Sequence, residues 1–106
     1  FLGAAHDHLE REGIVVVGVA TTIAQALDQA ERLRPDVALV DIDLAGESGF
    51  ELARRLQGPG GPAVAAVILI STHSEEDFAD LIAASPAVGF LSKAALSAEA
   101  IRGLVG

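Results

Sequence analysis

Three short apolar runs of the sequence each end in side chains that can do chemistry. They are Asp41 and Asp43 after the run 37–40, Ser71 and Thr72 after the run 67–70, and Lys93 after the run 88–91. If these runs are neighbouring parallel strands, their carboxyl ends share one edge of a sheet, where open α/β folds collect their functional residues. The sequence therefore predicts a site that combines carboxylates, hydroxyls and the sole lysine of the chain.

Phosphoryl transfer is the chemistry that suits this combination. A carboxylate can act as a nucleophile and form an aspartyl-phosphate. The transferred group carries negative charge on its oxygens, which a lysine ammonium and a serine hydroxyl can stabilise. Mg²⁺ binds one or two carboxylates and keeps several waters, and one or both aspartates can supply such ligands. Asp41 is thus the candidate nucleophile, with Ser71 and Lys93 stabilising the transferred group.

The same residues also have plain structural interpretations. Asp41 could cap a turn, and for Asp43 a solvated loop position explains the residue as well as a role for its side chain does. Ser71 and Lys93 would each be ordinary alone, because strand ends often carry serine and surfaces often carry lysine. Only the combination favours a functional site.

The three histidines are interpreted as structural or incidental. His6 and His8 do not form a metal pair, because residues two apart on a helix point in different directions. His73 lies in the loop after Ser71 and could touch a ligand, although nothing in the sequence requires that contact.

The apolar runs alternate with segments of helical pattern. The runs are continuously apolar, as strands covered on both faces are. They span residues 14–18, 37–40, 67–70 and, more weakly, 88–91. Capping boxes predict helix starts at Thr22 and Ser48, and Ser74 with three following acids predicts another. Apolar faces are predicted in the second, fourth and last helices, formed by Ile23, Leu27 and Ala30, by Phe78, Leu81 and Ile82, and by Ile101, Leu104 and Val105.

The order of these elements predicts the fold class. Residues 1–13 are typical of a helix that ends at Gly13, and strands and helices alternate from there on. This order predicts an α/β domain with a three-layer, doubly wound, mostly parallel sheet, and residues 1–106 suit a single domain. Sheets of this class normally begin with a strand, so we expect that a first strand is missing from this sequence.

Composition narrows the class of protein further. The chain is 51% hydrophobic and carries a formal charge of −8, so it can build a core and presents an acidic surface. Such a surface repels nucleic acid, and no direct nucleic-acid contact is expected of this chain. No apolar run approaches the ~18 residues of a membrane span, so no membrane contact is expected. The absence of cysteine excludes disulfide scaffolds and thiol catalysis and favours a cytoplasmic location.

Three motifs resemble those of response-regulator receiver domains, the phosphoacceptor modules of two-component signalling. They are RPDVALVDIDLAGESGFEL, VILISTHSEED and GFLSKAALS, and together they cover most of the chain. Ser71 and Lys93 follow Asp41 by 30 and 52 residues, as is usual in that family. The resemblance implies a flavodoxin-like fold with strand order 2-1-3-4-5, from which strand 1 would be missing here.

The resemblance also implies roles for the site residues. Asp41 would accept a phosphoryl group from a sensor histidine kinase, in a Mg²⁺-dependent self-phosphorylation rather than turnover of a conventional substrate. The metal would be bound by Asp41, by the backbone carbonyl of Asp43 and by acids expected upstream of Phe1. Ser71 and Lys93 would contact the phosphoryl group.

Further positions match the switch that the family uses to report phosphorylation. Phe90 matches the aromatic switch position, and Thr72 would flank the site and modulate access of the attacking water. The surface formed by residues 74–105 would then change, altering partner binding or homodimerisation.

Two other functions remain open from the sequence. VALVDID also resembles the Asp-x-Asp strand of haloacid-dehalogenase-type phosphatases, but Glu99 is the one acid after Lys93 and a βα unit precedes the motif. The other alternative is a pseudo-receiver, which uses the same fold as a phosphorylation-independent interaction module. Phosphate labelling of Asp41 distinguishes that alternative from a working receiver.

Overall fold

The structure is a computed structural model that describes residues 2–14, 18, 20, 22–44, 47–58, 61, 64, 66–73 and 75–105. Its strands are β1 (Val37–Asp41), β2 (Asp43–Leu44), β3 (Glu47–Ser48), β4 (Ala66–Ser71) and β5 (Gly89–Ser92). Strands β1, β4 and β5 form a parallel sheet in the order β1-β4-β5, and β2 and β3 form a separate antiparallel pair. The parallel sheet is the frame that brings the carboxyl ends of three strands to one edge.

Helices cover both faces of the parallel sheet. They are α1 (Leu2–Arg11), α2 (Ile23–Leu33), α3 (Gly49–Gln57), α4 (Ala79–Ala84) and α5 (Ala98–Val105). Ile68 and Ile70 of β4 pack with Leu9 of α1 and Ile101 of α5. On the opposite face, Val67 and Leu69 belong to a cluster that includes the buried residues of α2 and α3. The predicted three-layer α/β architecture is confirmed.

The central strand explains why its sequence is continuously apolar. Every residue of β4 is buried, and β4 pairs with β1 on one side and β5 on the other. A strand that is covered by helices on both faces has no solvent-facing side, so apolar residues occupy successive positions. The predicted strands 37–40, 67–70 and 88–91 are confirmed, each with bounds shifted by about one residue at one or both ends. The predicted strand 14–18 falls largely on residues 15–17, which lie outside the described part of the chain.

Two of the predicted helix caps have the expected geometry. The Thr22 hydroxyl accepts a hydrogen bond from the Gln25 N–H at 3.1 Å, and the Ser48 hydroxyl accepts one from the Glu51 N–H at 3.4 Å. These bonds satisfy amide groups that have no partner within the first turn of a helix. Helix α2 ends at Leu33, and its C-cap residue Arg34 adopts a left-handed conformation with φ of 48°.

The predicted apolar faces of the last two helices need correction. Leu81 is 54% exposed and Val105 is 40% exposed, whereas Phe78 and Ile82 pack against the core. Residues Glu75–Phe78 form a 3₁₀ turn, not the α-helical start predicted after Ser74, which itself lies outside the described residues. The 3₁₀ turn advances by about 120° per residue, so the face that follows differs from the one that a continuous α-helix predicts. Val105 is the last residue of α5, beyond the contact that Ile101 makes with β4.

The sequence did not predict the short hairpin between β1 and α3. Asp43 pairs with Ser48 and Leu44 pairs with Glu47, so the chain folds back immediately after β1. The Gly49 N–H then donates to the Ile42 carbonyl at 2.9 Å, which closes the turn and starts α3. Within the described residues, no helix is long and apolar enough to cross a bilayer.

Candidate functional site

The register of the sheet brings the predicted residues to one edge in a staggered row. Asp41 is opposite Ile70, and Ser71 is opposite Ser92. Lys93 directly follows Ser92 and begins a short 3₁₀ turn, Lys93–Ala95. The Ile42 N–H continues the ladder past Asp41 by donating to the Ile70 carbonyl at 3.0 Å. Three consecutive strands of the sheet therefore deliver a carboxylate, a hydroxyl and an ammonium group to the same edge.

Asp41 and Lys93 form a direct ion pair. Lys93 Nζ lies 2.6 Å from Asp41 Oδ2, and the two side chains retain 18% and 17% of their exposure, respectively. Charge-assisted hydrogen bonds of this length are stronger than neutral ones, and partial burial shields the pair from water and salt. The ammonium group is therefore held directly beside the carboxylate of Asp41.

Ser71 is the buried polar side chain at this edge. Ser71 is 2% exposed, and its hydroxyl accepts a hydrogen bond from the His73 N–H at 3.0 Å. The same oxygen lies 3.4 Å from His73 Nδ1. The sequence did not indicate a contact between these two residues, because nothing in it requires His73 to contact another group. In the structure His73 is exposed in the bend after β4. The spacing of the two residues was the one available signal, because a serine hydroxyl can accept a hydrogen bond from the backbone N–H two residues later.

Gly49 places the start of α3 directly against the backbone at the end of β1. A Cβ at Gly49 would lie 2.7 Å from the Ile42 Cα and closer still to the Asp41 carbonyl oxygen. A side chain at this position would push the helix away from Asp41, so glycine is required by the close approach. Gly49 thus allows the start of α3 to pack directly on the backbone of Asp41, the candidate nucleophile.

Comparisons with known proteins identify the family of this chain. A family profile described as the response regulator receiver domain matches residues 1–104. The chain belongs to this family. Response regulator GacA of Pseudomonas viridiflava is 30% identical over 93 residues, which cover 88% of this chain and 42% of that protein. Transcriptional regulatory protein DesR of Bacillus subtilis (strain 168) is 31% identical over 99 residues, which cover 92% of this chain and 48% of that protein.

Solved structures support the flavodoxin-like receiver fold. The signal receiver domain of a modulated diguanylate cyclase from Desulfovibrio desulfuricans G20 has a TM-score of 0.75 and 32% identity, over 97% of this chain and 79% of that chain. A response regulator from Burkholderia pseudomallei, solved with a phosphorylated aspartic acid, a calcium ion and citrate, has a TM-score of 0.81 and 24% identity, over 100% of this chain and 60% of that chain. The receiver domain spans less than half the length of the two curated relatives named above.

The other predicted residues of the receiver domain occupy different positions around this site. Phe90 lies on β5 opposite Leu69 and is half-buried against the core cluster on the α2 and α3 side. Thr72 is exposed in the turn after β4. Asp43 has its backbone in β2, immediately beyond β1, and its side chain is outside what the structure describes. Phe90 is therefore turned toward the core, while Thr72 borders the site from solvent.

The metal-binding capacity of the described residues is limited. They contain no group of three or more histidine, aspartate or glutamate side chains close enough to hold a metal ion. Asp41 is the one predicted metal ligand whose side chain is described. Mg²⁺ can bind through one or two carboxylates while keeping several waters, so this set fits Mg²⁺ better than a metal that needs a full cage of protein ligands.

His6 and His8 have the structural contacts expected of a solvated helix. His6 Nε2 lies 3.0 Å from Glu10 Oε1, and His8 Nε2 lies 3.2 Å from Glu12 Oε1, each one helical turn away. The two imidazoles therefore contact different carboxylates on α1. This geometry agrees with the interpretation that they are not a metal pair.

Proposed function

We propose that this receiver domain accepts a phosphoryl group on Asp41 from a sensor histidine kinase and thereby switches the binding of a partner or a second copy. The observation that carries the proposal is the ion pair of Asp41 and Lys93 at 2.6 Å, formed at the strand edge where Ser71 also ends β4. A carboxylate beside a fixed cation and a hydroxyl has the parts that phosphoryl transfer needs.

The reaction would proceed as an in-line displacement. A carboxylate oxygen of Asp41 attacks the phosphorus of a phosphohistidine, a P–O bond forms and the P–N bond breaks. The electron pair of the broken bond stays on the imidazole nitrogen of the donor, which takes up a proton from solvent. Lys93 stabilises the charge on the phosphoryl oxygens, and the Ser71 hydroxyl donates a hydrogen bond to one of them. The product is an acyl phosphate on Asp41, and water later hydrolyses it with Thr72 beside the path of approach.

Mg²⁺ is the proposed cofactor of this site. The carboxylate of Asp41 and the backbone carbonyl of Asp43 would hold it. When bound, the ion would neutralise charge on the phosphoryl oxygens. The acidic balance of the chain makes the metal important, because fifteen acids against seven basic residues would otherwise repel a phosphoryl donor.

Phosphorylation would act by shifting a population of conformations. A dianion at the strand edge attracts Ser71 and Lys93, and Phe90 moves with the surrounding loops. The responding surface would be residues 74–105, which include the exposed side chains of Leu81 and Val88. We place this switch in the cytoplasm, with a histidine kinase as the donor and without direct nucleic-acid or membrane contact by this domain.

Labelling with a small phosphodonor tests the proposal. The full chain is incubated with acetyl phosphate and Mg²⁺, and the phosphorylated fraction is resolved on a phosphate-affinity gel. Label is expected in the native protein and in Asp36→Asn, a matched control at the exposed residue before β1, and is expected to be lost in Asp41→Asn. Label that persists in Asp41→Asn would reject Asp41 as the acceptor, and an unlabelled native protein would favour the pseudo-receiver. Steady release of phosphate from a generic phosphomonoester would favour the phosphatase instead.

A further inference from the structure

The hydroxyl that must reach the phosphoryl group is engaged elsewhere in this structure. Among the described residues, both polar contacts of the Ser71 side chain run to His73: the backbone N–H at 3.0 Å and Nδ1 at 3.4 Å. Ser71 is 2% exposed, so its hydroxyl is shielded from bulk water, whereas His73 is exposed. A buried hydroxyl with satisfied partners has a defined position, and it must give up partners to move.

The imidazole of His73 continues into a row of aromatic rings. It meets Phe78 edge-on, with ring centroids 5.7 Å apart and an interplanar angle of 89°. Phe78 in turn lies 6.1 Å from Phe50 at an angle of 54°. Both separations fall within the range in which aromatic pairs attract one another. Phe50 follows Gly49, the residue that packs on the Asp41 backbone, so the row runs from the Ser71 loop back to the nucleophile strand.

We propose that His73 is a positioning residue that holds the Ser71 hydroxyl in the resting conformation and transmits its release to α4 through Phe78. This inference deepens the proposed function and rests on it. His73 therefore sets the balance between the resting and the phosphorylated state through its contacts with Ser71 and Phe78.

His73 holds Ser71 in the resting conformation because its Nδ1 atom competes with a phosphoryl oxygen for the hydroxyl proton of Ser71. With the imidazole proton on Nε2, Nδ1 accepts the Ser71 hydroxyl proton, which then cannot be donated to a phosphoryl oxygen. The His73 N–H also loses its acceptor when the Ser71 oxygen swings away, unless the backbone of residues 72–73 follows. Each ligand that draws the hydroxyl to Asp41 must therefore overcome both contacts, which lowers its apparent affinity.

Phe78 connects His73 with helix α4, so release of the Ser71 hydroxyl can alter this exposed helix. Phe78 is the last residue of the 3₁₀ turn Glu75–Phe78 and immediately precedes α4. Its ring packs between His73 and Phe50, so displacement of the imidazole removes one side of its support. Helix α4 has six residues and none of them is buried, so few contacts oppose its movement.

Binding of beryllofluoride, a mimic of the phosphoryl group, tests the resting hold. Its affinity is titrated in the presence of Mg²⁺ on the full chain, in native protein, His73→Ala, His73→Asn, Ser71→Ala and the double variant Ser71→Ala with His73→Ala. We expect His73→Ala to bind about three- to tenfold more tightly, which is the size of one hydrogen bond. His73→Asn is expected to stay within about twofold of the native protein, because the amide oxygen can replace Nδ1 as the acceptor.

The double variant separates a specific hold from a general structural effect. If His73 acts through the Ser71 hydroxyl, adding His73→Ala to Ser71→Ala changes the affinity by less than about twofold. An unchanged affinity in His73→Ala, or an equal gain in both backgrounds, would overturn the inference while leaving phosphorylation of Asp41 intact. Absence of beryllofluoride binding to the native protein would overturn both this inference and the proposed function.

Hydrogen exchange tests the second half of the inference. In native protein, beryllofluoride is expected to change the exchange of amides in 79–84, whereas in Phe78→Leu that change is expected to fall by at least half. The affinity of Phe78→Leu is expected to stay within about twofold, since its Ser71–His73 contacts are retained. A native-like response of 79–84 in Phe78→Leu would rule out Phe78 as the transmitting residue.

Discussion

Lys93 Nζ reaches Asp41 Oδ2 at 2.6 Å although the two residues leave strands that are not neighbours in the sheet. Strand β4 lies between β1 and β5, so the lysine side chain crosses the end of β4 to meet the carboxylate. Neighbouring strands are about 4.8 Å apart, so β1 and β5 are separated by about twice that distance, which the side chains of Lys93 and Asp41 span together. The ion pair therefore joins β1 and β5, the two strands that flank β4, at the carboxyl edge of the sheet.

Removing the cation is expected to cost both stability and phosphorylation. Lys93→Met leaves a largely buried carboxylate without this partner and should lower the free energy of unfolding by about 1–3 kcal/mol. Combining it with Asp41→Asn should recover part of that loss, measured by urea unfolding. Labelling of Asp41 by acetyl phosphate should fall at least about tenfold in Lys93→Met. Equal stability losses in the presence and absence of Asp41 would show that the two side chains are not coupled.

Gly49 is expected to be the most restrictive glycine near the site. Gly49→Ala forces a methyl group into the backbone of Asp41 and Ile42 and should lower the free energy of unfolding by about 2–4 kcal/mol. Gly103→Ala is the matched control, because a Cβ there meets no atom within 4 Å and the residue lies within α5. This control should raise stability by about 0.5–1 kcal/mol. Thermal unfolding of the two variants tests the contrast, and a loss at Gly103 as large as at Gly49 would contradict it.

The correction at Leu81 has a measurable consequence. Leu69 is fully buried in β4, whereas Leu81 is 54% exposed, so the same truncation should have different effects. Leu69→Ala is expected to destabilise the domain by about 2–5 kcal/mol. Leu81→Ala is expected to change stability by no more than about 0.5 kcal/mol. If urea unfolding shows similar losses of stability in the two variants, Leu81 is part of the core and the 3₁₀ geometry before α4 is wrong.

Glu12 is expected to connect α1 with the helix that follows the lysine. Its carboxylate accepts a hydrogen bond from the Ala98 N–H at 2.9 Å, at the start of α5. Glu12→Ala should lower stability by about 1 kcal/mol and speed amide exchange in the first turn of α5. The control is Glu10→Ala, because Glu10 contacts His6 on the same helix and its loss should lower stability less. Unchanged exchange at Ala98 in Glu12→Ala would argue against the cap.

The sequence predicted those parts of the fold and site that follow from local patterns. Continuous apolar runs predicted the strands, and capping motifs predicted two helix starts, because both depend on neighbours along the chain. Leu81 was misplaced because the 3₁₀ turn before α4 changes the angular spacing of side chains. The contact between Ser71 and His73 was missed, since a serine hydroxyl can form hydrogen bonds with many partners and the sequence alone does not show which one it contacts. The reach of Lys93 across β4 also needed the sheet order, which spacing along the chain does not contain.

Chemical trapping of the acyl phosphate tests the central claim most directly. The full chain is treated with acetyl phosphate and Mg²⁺ and then reduced with borohydride, which converts an aspartyl-phosphate into homoserine. Peptide mass spectrometry then locates the converted residue. The proposed function predicts homoserine at position 41 in treated protein and unmodified Asp41 when the phosphodonor is omitted. Conversion of another carboxylate while Asp41 stays intact would contradict it.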